Sequence, residues 1–400
     1  MRVLLSAVGT RGDVQPLVVL GLALQRAGHQ VVVCAALDFG DWVRTFGLEH
    51  HPINVNTGEA IARAGNSAGK VLAMIREAVS AEFDAVRAAP GRFDLMLGSG
   101  MASAGASVGE ATGVPHRQCV FCPEMLPSRT HPSPVMRWQG LPQWLNRLSW
   151  TLYDQIWDAA ALKVINRNRA ELGLTKLRTS WLHVQGRAPL IAADPWLAPT
   201  PSDAPVTTAS TGAWLMPPGP ALSGELEQFL AGGPPPVYFG FGSMLEQAPA
   251  RTVELLVEVA RRLGVRALIP SALASPAPLP DSVHPYGPVD HARLFPRCAA
   301  IVHHGGAGTT TAAAAAGVPQ VVVPHLGDQF WWAHRIHGLG LGPPGLPRAR
   351  LSVERLEQAL KTALGDGHVS AAREGATRIS HRGLELAVKE LRGAEAAATQ

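Results

Sequence analysis

The chain has 400 residues, 46% of them hydrophobic, with 41 glycines and 33 prolines, the composition of a turn-rich globular protein long enough for two domains. Its formal net charge of +4 comes from scattered arginines with no basic block, which argues against a nucleic-acid partner. No basic and apolar leader precedes the first strand and no stretch reaches about 18 uninterrupted apolar residues, so neither a secretion signal nor a membrane span is expected.

Val3 to Val8 is an apolar run bounded by Gly9 and reads as a central parallel strand. Pro16 to Ala27 carries a helical pattern ended by Gly28, and Val31 to Ala35 is a second strand. This β-α-β opening is the unit of a doubly wound sheet. The intervening loop, Gly9-Thr10-Arg11-Gly12-Asp13, lacks the third glycine of the dinucleotide fingerprint, which disfavours a nicotinamide enzyme. Asp13 has two readings, a cap for the following helix or a carboxylate shown at the strand's carboxyl edge as a general base. Arg11 either holds Asp13 ionised or faces solvent.

After Gly47 the chain reads as polar and irregular up to about Gly69, followed by a helix from Val71 to Ala89. Asp94 to Gly100 is a further strand, Ala102 to Thr112 a helix, and Cys119 to Cys122 an apolar strand, so the first domain has at least four strands. Cys34, Cys119, Cys122 and Cys298 are too few and too scattered for a disulfide framework, which fits a reducing cytoplasm. Cys119-x-x-Cys122 has no second pair and reads as core or pocket wall, and no metal is assigned. From Pro123 to Asn168 prolines give way to Trp138, Trp144, Trp150, Tyr153 and Trp157. Leu148, Leu152, Ile156 and Ala160 recur every four residues and form one apolar helix face, which either packs on the sheet or holds a bulky apolar molecule, such as one drawn from a membrane surface.

Ala188 to Ala193 closes the first domain, and a proline-rich passage through Pro220 reads as a linker. Pro236 to Met244 is a strand ending in Gly242-Ser243, with a helix from Thr252 to Leu263. Further strands lie at Arg266 to Pro270 and at Val283, the latter followed by a loop carrying Val289. Then Ile301-Val302-His303-His304-Gly305-Gly306-Ala307-Gly308-Thr309 runs strand, tight turn, helix start. Glycines let a ligand approach the backbone, and the first N–H groups of the helix lie at its positive end, so a phosphate is the natural occupant. His304 and the threonine hydroxyls add donors. The bland reading is a plain turn with His304 in the core and Thr309 as the cap. Val318 to Pro324 is another buried strand, opening onto Asp328 and Gln329, where a carboxylate and a carboxamide suit sugar hydroxyls and Trp331 and Trp332 offer stacking faces. Asp328 by itself has a second reading, a helix N-cap. Leu351 to Leu364 and Ala371 to Leu391 are helices.

His-Gly-Gly-Ala-Gly-Thr, Gly317-Val318-Pro319, the Asp328-Gln329 pair and Gly340-Leu341-Gly342-Pro343-Pro344 together resemble the donor-binding motif of family 1 glycosyltransferases of the GT-B fold. The sterol glucosyltransferase branch is the most similar, with the glycopeptide-antibiotic enzymes close to it, and Thr211 to Trp214 resembles the linker of that branch. The resemblance implies two facing Rossmann-like α/β domains, 1–193 for the acceptor and 223–380 for the nucleotide sugar, joined by 194–222 and closed by a last helix over 381–400 that returns to the first domain. It also implies that Ser243, His303, His304 and Gly305 to Thr309 hold the donor diphosphate, Val289 lies by the nucleotide base, and Asp328 and Gln329 bind the sugar. The loop Thr10, Arg11, Gly12 then faces the acceptor, and Asp13 matches the proposed base; many relatives carry a histidine in this loop, and here Asp13 is its only carboxylate. Where many relatives hold the ribose with a glutamate after the phosphate turn, this chain has only threonine and alanine. A hexose, glucose by resemblance, carried on uridine or thymidine diphosphate would pass to an apolar acceptor without a metal or resident cofactor. The rivals are a sugar-nucleotide epimerase and a non-catalytic protein that binds a lipid or a partner.

Overall fold

In the computed structural model, residues 1–65, 67–241, 249–273 and 278–398 are described, without the side chains of 249 and 394–398. Seven parallel strands form the first sheet: β1 (Arg2–Val8), β2 (Gln30–Ala36), β3 (Glu49–Ile53), β4 (Leu95–Gly100), β5 (His116–Val120), β6 (Leu190–Ile191) and β7 (Ala209–Ser210), in the order 3-2-1-4-5-6-7. Val3, Leu5 and Ala7 of β1 meet Leu17, Leu20 and Leu24 of the helix Arg11–Arg26 on one face. Leu4 and Val8 meet Phe83, Trp157 and Ile165 on the other. Successive side chains point to opposite faces and both faces are covered by helices, so the strand is apolar throughout instead of alternating.

A second sheet holds β8 (Val237–Gly240), β9 (Ala267–Pro270), β10 (Val283–Tyr286), β11 (Ala300–His303) and β12 (Gln320–Val322), in the order 10-9-8-11-12 and again parallel. In each sheet the strand order reverses once, between β1 and β4 and between β8 and β11. Open α/β sheets receive their ligands at the carboxyl ends of the strands flanking that reversal.

Several boundaries differ from the sequence expectations. The first helix starts at Arg11, well before Pro16, because Thr10 caps it and Pro16 is accommodated inside it. The stretch after Gly47 contains the edge strand β3 and a helix, Thr57–Ala64, capped by Asn56. The first sheet does not end at 193: part of the proline-rich passage folds back, the Thr211 N–H reaching the Ile191 carbonyl at 3.0 Å, and adds β7. The expected helix from Ala371 to Leu391 is two, Asp366–Ala376 and Gly383–Ala398. The second of these does return to the first domain, where Ala387 and Leu391 join the core around Leu17 and Glu390 pairs with Arg117 at 3.0 Å.

One apolar cluster belongs to both domains. Val120, Cys122, Leu126, Ile191 and Leu197 from the first pack with Trp331, Trp332, Ile336, Leu341 and Ile379 from the second. Trp332 is 0% exposed. Replacing it by alanine empties the centre of this cluster, at a cost of about 3–5 kcal/mol. In calorimetry Trp332→Ala is expected to turn one cooperative unfolding transition into two separated ones; a single transition at the wild-type temperature would contradict this account of the interface.

Candidate active site

β11 enters the second domain's switch point with all four residues buried. His303 is its last residue, and both ring nitrogens are already engaged. Nδ1 accepts the Gly305 N–H at 3.1 Å, so the proton lies on Nε2, which donates to Gln320 Oε1 at 2.9 Å. Burial, then His304, holds this ring neutral, down to about 3. His303 therefore shapes the glycine turn and does not face a diphosphate, and the Gly305 N–H is spent on it. Gly305 has φ +93°, and a Cβ there would lie 2.8 Å from Val322 Cγ1, so only glycine fits.

Gly306, not Thr309, is the N-cap of the helix Ala307–Ala315, and no side chain caps it. The first intrahelical bond is from the Thr310 N–H to the Gly306 carbonyl at 3.0 Å, which leaves the N–H groups of Ala307, Gly308 and Thr309 ahead of the ladder. The Thr310 and Thr311 hydroxyls donate to the Gly306 and Ala307 carbonyls at 2.9 and 2.7 Å, so they do not serve a ligand as the sequence suggested. His304 is half-buried and stands over the turn: a Cβ on Gly306 would lie 2.5 Å from its Nε2. Burial, with His325 next, keeps its ring neutral, at about 4. The result is a ring nitrogen, three backbone N–H groups and a helix dipole converging on one small volume.

Asp328 occupies the N-cap position of the helix Gln329–Gly338, but its side chain makes no capping bond and stays at the cleft. Gln329 is buried, and its Oε1 accepts from the His325 and Leu326 N–H groups at 2.7 and 3.1 Å, holding the turn that presents Asp328. Trp331 and Trp332 are in the interdomain core, so they cannot stack on a sugar as expected. Val289 lies half-buried after β10, in a loop held by Asp290, whose carboxylate accepts the Ala292 N–H at 2.8 Å and also the Gly219 N–H from the linker. Ser243 lies outside the described residues.

Across the cleft, Asp13 sits at the first domain's switch point. Thr10 is the N-cap and Asp13 the third residue of the helix, closing a capping box: Thr10 Oγ1 accepts the Gly12 N–H at 3.3 Å and the Thr10 N–H donates to Asp13 Oδ2 at 2.8 Å. The carboxylate is wedged between backbones at the ends of β1 and β4, since a Cβ on Gly100, which has φ +62°, would lie 2.9 Å from Oδ1. Burial raises Asp13 to about 6 against the opposing bonds from Thr10. Asp328 rises to about 7, from burial first and the Asp13 charge second, so the two domains bring these carboxylates together. Arg11 does not pair with Asp13; its guanidinium lies over the Trp42 ring at 4.7 Å and bonds Gln15 at 3.1 Å.

Residues 3–126 match the model of the glycosyltransferase family 28 N-terminal domain, and residues 257–385 that of the erythromycin biosynthesis protein CIII-like C-terminal domain. Glycosyltransferase GtfE of Amycolatopsis orientalis is 36% identical over 375 residues, covering 91% of this chain and 90% of that protein. The chain belongs to this glycosyltransferase family. The vancomycin aglycone glucosyltransferase of the same organism is 34% identical, with 86% and 85% covered. The solved structure of the spinosyn forosaminyltransferase SpnP superposes with a TM-score of 0.73 at 21% identity, over 99% of both chains, and identifies the two facing sheets as the GT-B fold. The protein is a nucleotide-sugar-dependent glycosyltransferase.

In this glycosyltransferase the aromatic segment forms a helix, Gln143–Glu171, whose two sides differ. Trp150, Tyr153, Trp157 and Trp181 pack edge to face, with centroids 5.0 to 5.5 Å apart, in or against the core. Leu148, Leu152 and Ile156 face outward, as do Trp138 and Trp144, at 41 to 66% exposure. Of the four-residue repeat only Ala160 packs inward. Among the described residues no helix is long and apolar enough to cross a membrane. The four cysteines are free and buried, Cys119 and Cys122 each in an apolar cluster. Sequence reasoning missed Glu124, a fully buried carboxyl on the short turn Pro123–Met125. No periodicity or spacing marks it.

If the turn holds a nucleotide diphosphate, neighbouring positions should differ in effect. Thr310→Val and Thr311→Val, which remove hydroxyls that serve only the helix, should leave UDP or dTDP affinity within about twofold. Gly306→Ala, which displaces His304, should weaken it by ~10-fold, the loss of one charge-assisted bond. Titration calorimetry measures both, and equal losses at all three positions would refute the assignment of donors.

Proposed function

We propose that this enzyme transfers a hexose, glucose, with inversion, from a uridine or thymidine diphosphate carrier to a hydroxyl of a bulky apolar acceptor such as a sterol, a macrolide or another natural product. The observation that carries this reading is the placement of Asp13: a carboxylate at one switch point, held by Thr10 at the carboxyl ends of β1 and β4 and near enough to Asp328 for its charge to add to the effect of burial there. A group there lies between an acceptor above the first sheet and a sugar above the second.

In this reading Asp13 takes the acceptor hydroxyl's proton as its oxygen attacks the anomeric carbon from the face opposite the diphosphate. The bond to the diphosphate breaks, and the charge developing on the leaving oxygen is met by His304, by the N–H groups of Ala307, Gly308 and Thr309, and by the helix dipole. These fixed dipoles take the part that a metal plays elsewhere. Asp328 accepts from sugar hydroxyls, with Gln329 positioning its turn, and Val289 borders the base. Thr10, Arg11 and Gly12 face the acceptor, and the exposed face of Leu148, Leu152 and Ile156 gives it an apolar surface, which can also rest on a bilayer. Four buried free thiols fit a reducing cytoplasm.

An epimerase of the same architecture has no use for that apolar surface. A non-catalytic binding protein has no use for a carboxylate raised to about 6, a value suited to a base near neutral pH.

The test is mass-spectrometric detection of products from UDP-glucose or dTDP-glucose with a panel of sterols, macrolides and polyphenols. A gain of one hexose is expected, falling by ~10²–10⁴-fold in Asp13→Asn. Because Asp13 is basic only above its raised value, kcat/KM is expected to fall as pH drops through about 6. An Asn variant as active as the wild type would remove Asp13 from the chemistry.

A further inference from the structure

Glu124 is 0% exposed, and its two carboxyl oxygens differ. Oε1 accepts a long bond from Gln139 Nε2–H at 3.3 Å, while Oε2 is buried without a hydrogen-bond partner among the described residues. An unpaired carboxyl oxygen in a packed interior is costly, and a purely structural side chain at this place would be apolar. The turn that carries Glu124 follows β5, and its neighbours Cys122 and Leu126 share an apolar cluster with Trp331 and Trp332 of the second domain. Those tryptophans belong to the helix that Asp328 begins. The turn bearing Glu124 and the helix start bearing Asp328 are thus neighbours across the domain boundary.

We infer that Glu124 is a specificity-determining residue for the transferred sugar, its Oε2 hydrogen-bonding one sugar hydroxyl across the cleft from Asp328. The inference rests on the glycosyl-transfer reading and adds to it: the first domain reads the donor as well as the acceptor. Burial, and then the Asp328 charge, push Glu124 well above the usual carboxylate range. In that state the carboxyl both donates and accepts, which suits a hydroxyl and does not suit a bare apolar position. A site built to bond a hydroxyl rejects the analogue lacking it far more strongly than a merely apolar pocket does.

Calorimetry with UDP alone, UDP-glucose and its 2-, 3-, 4- and 6-deoxy analogues, or the thymidine series, tests this. The wild type should disfavour the deoxy sugar that lacks the contacted hydroxyl. Glu124→Leu should bind UDP unchanged, bind UDP-glucose ~10- to 100-fold more weakly, and lose the discrimination at one sugar position only. Glu124→Gln, which keeps reach and hydrogen-bonding capacity, should restore most of it. Glu124→Asp, which withdraws the carboxyl by one methylene, stands in for the leucine variant if that protein does not fold. Unchanged ratios among the deoxy sugars in Glu124→Leu, or equal weakening towards UDP alone, overturn the inference while leaving glycosyl transfer intact. A wild type that binds neither UDP-glucose nor dTDP-glucose overturns the functional reading itself.

Discussion

The arrangement of the site depends on the apolar contact between the two domains. Trp331 and Trp332 leave the start of one helix and bury themselves against Val120, Cys122 and Ile191, residues at the carboxyl ends of β5 and β6. That contact fixes the carboxyl edge of one parallel sheet opposite that of the other. Each edge holds a switch point, where strands diverge and leave room for a ligand. The return of the helix Gly383–Ala398 to the first domain, through Leu391 in its core and Glu390 on Arg117, ties the far side. A cleft so framed changes width only by motion about these two contacts.

Within the cleft, donors and carboxyls are unevenly placed. The second domain presents backbone N–H groups, a neutral His304 and a helix dipole at one turn, and the Asp328 carboxyl at the next. The first presents Asp13. An anion is therefore favoured at the glycine turn and disfavoured beside the two carboxyls. Burial raises Asp13 to about 6, and burial followed by the Asp13 charge raises Asp328 to about 7. Ligand that displaces water from this space strengthens the interaction between them further.

Legibility in the sequence followed local physics. β1 and β11 are apolar runs ended by glycine turns, and both stand where their pattern put them. β3, Glu49–Ile53, was invisible because an edge strand holding two histidines and a proline has no strand periodicity. Pro16 drew the first helix start towards itself, since proline favours first turns, yet the capping box at Thr10 and Asp13 decided the boundary. His303 and His304 are adjacent and look equivalent as letters; their opposite directions come from strand alternation, which sends His303 inward to Gln320 and leaves His304 over the turn. Glu124 could not be read at all, because its meaning lies in Asp328, a residue about two hundred positions away and in another domain.

The helix Gln143–Glu171 shows the same limit from the other side. Four-residue spacing announces an apolar face but does not say whether protein or solvent covers it. Here both faces are apolar: Trp150 and Trp157 turn inward while Leu148, Leu152 and Ile156 turn out. Large apolar side chains left exposed one turn apart mark a binding surface. Tyr153 lies between the two faces, packed edge to face on Trp150 and Trp181. The helix that offers the apolar surface is thereby anchored to the core of the first domain. Its outward side chains can change without disturbing Asp13, Asp328 or the interdomain core, so acceptor choice and the proton-transfer geometry are separable properties of this fold.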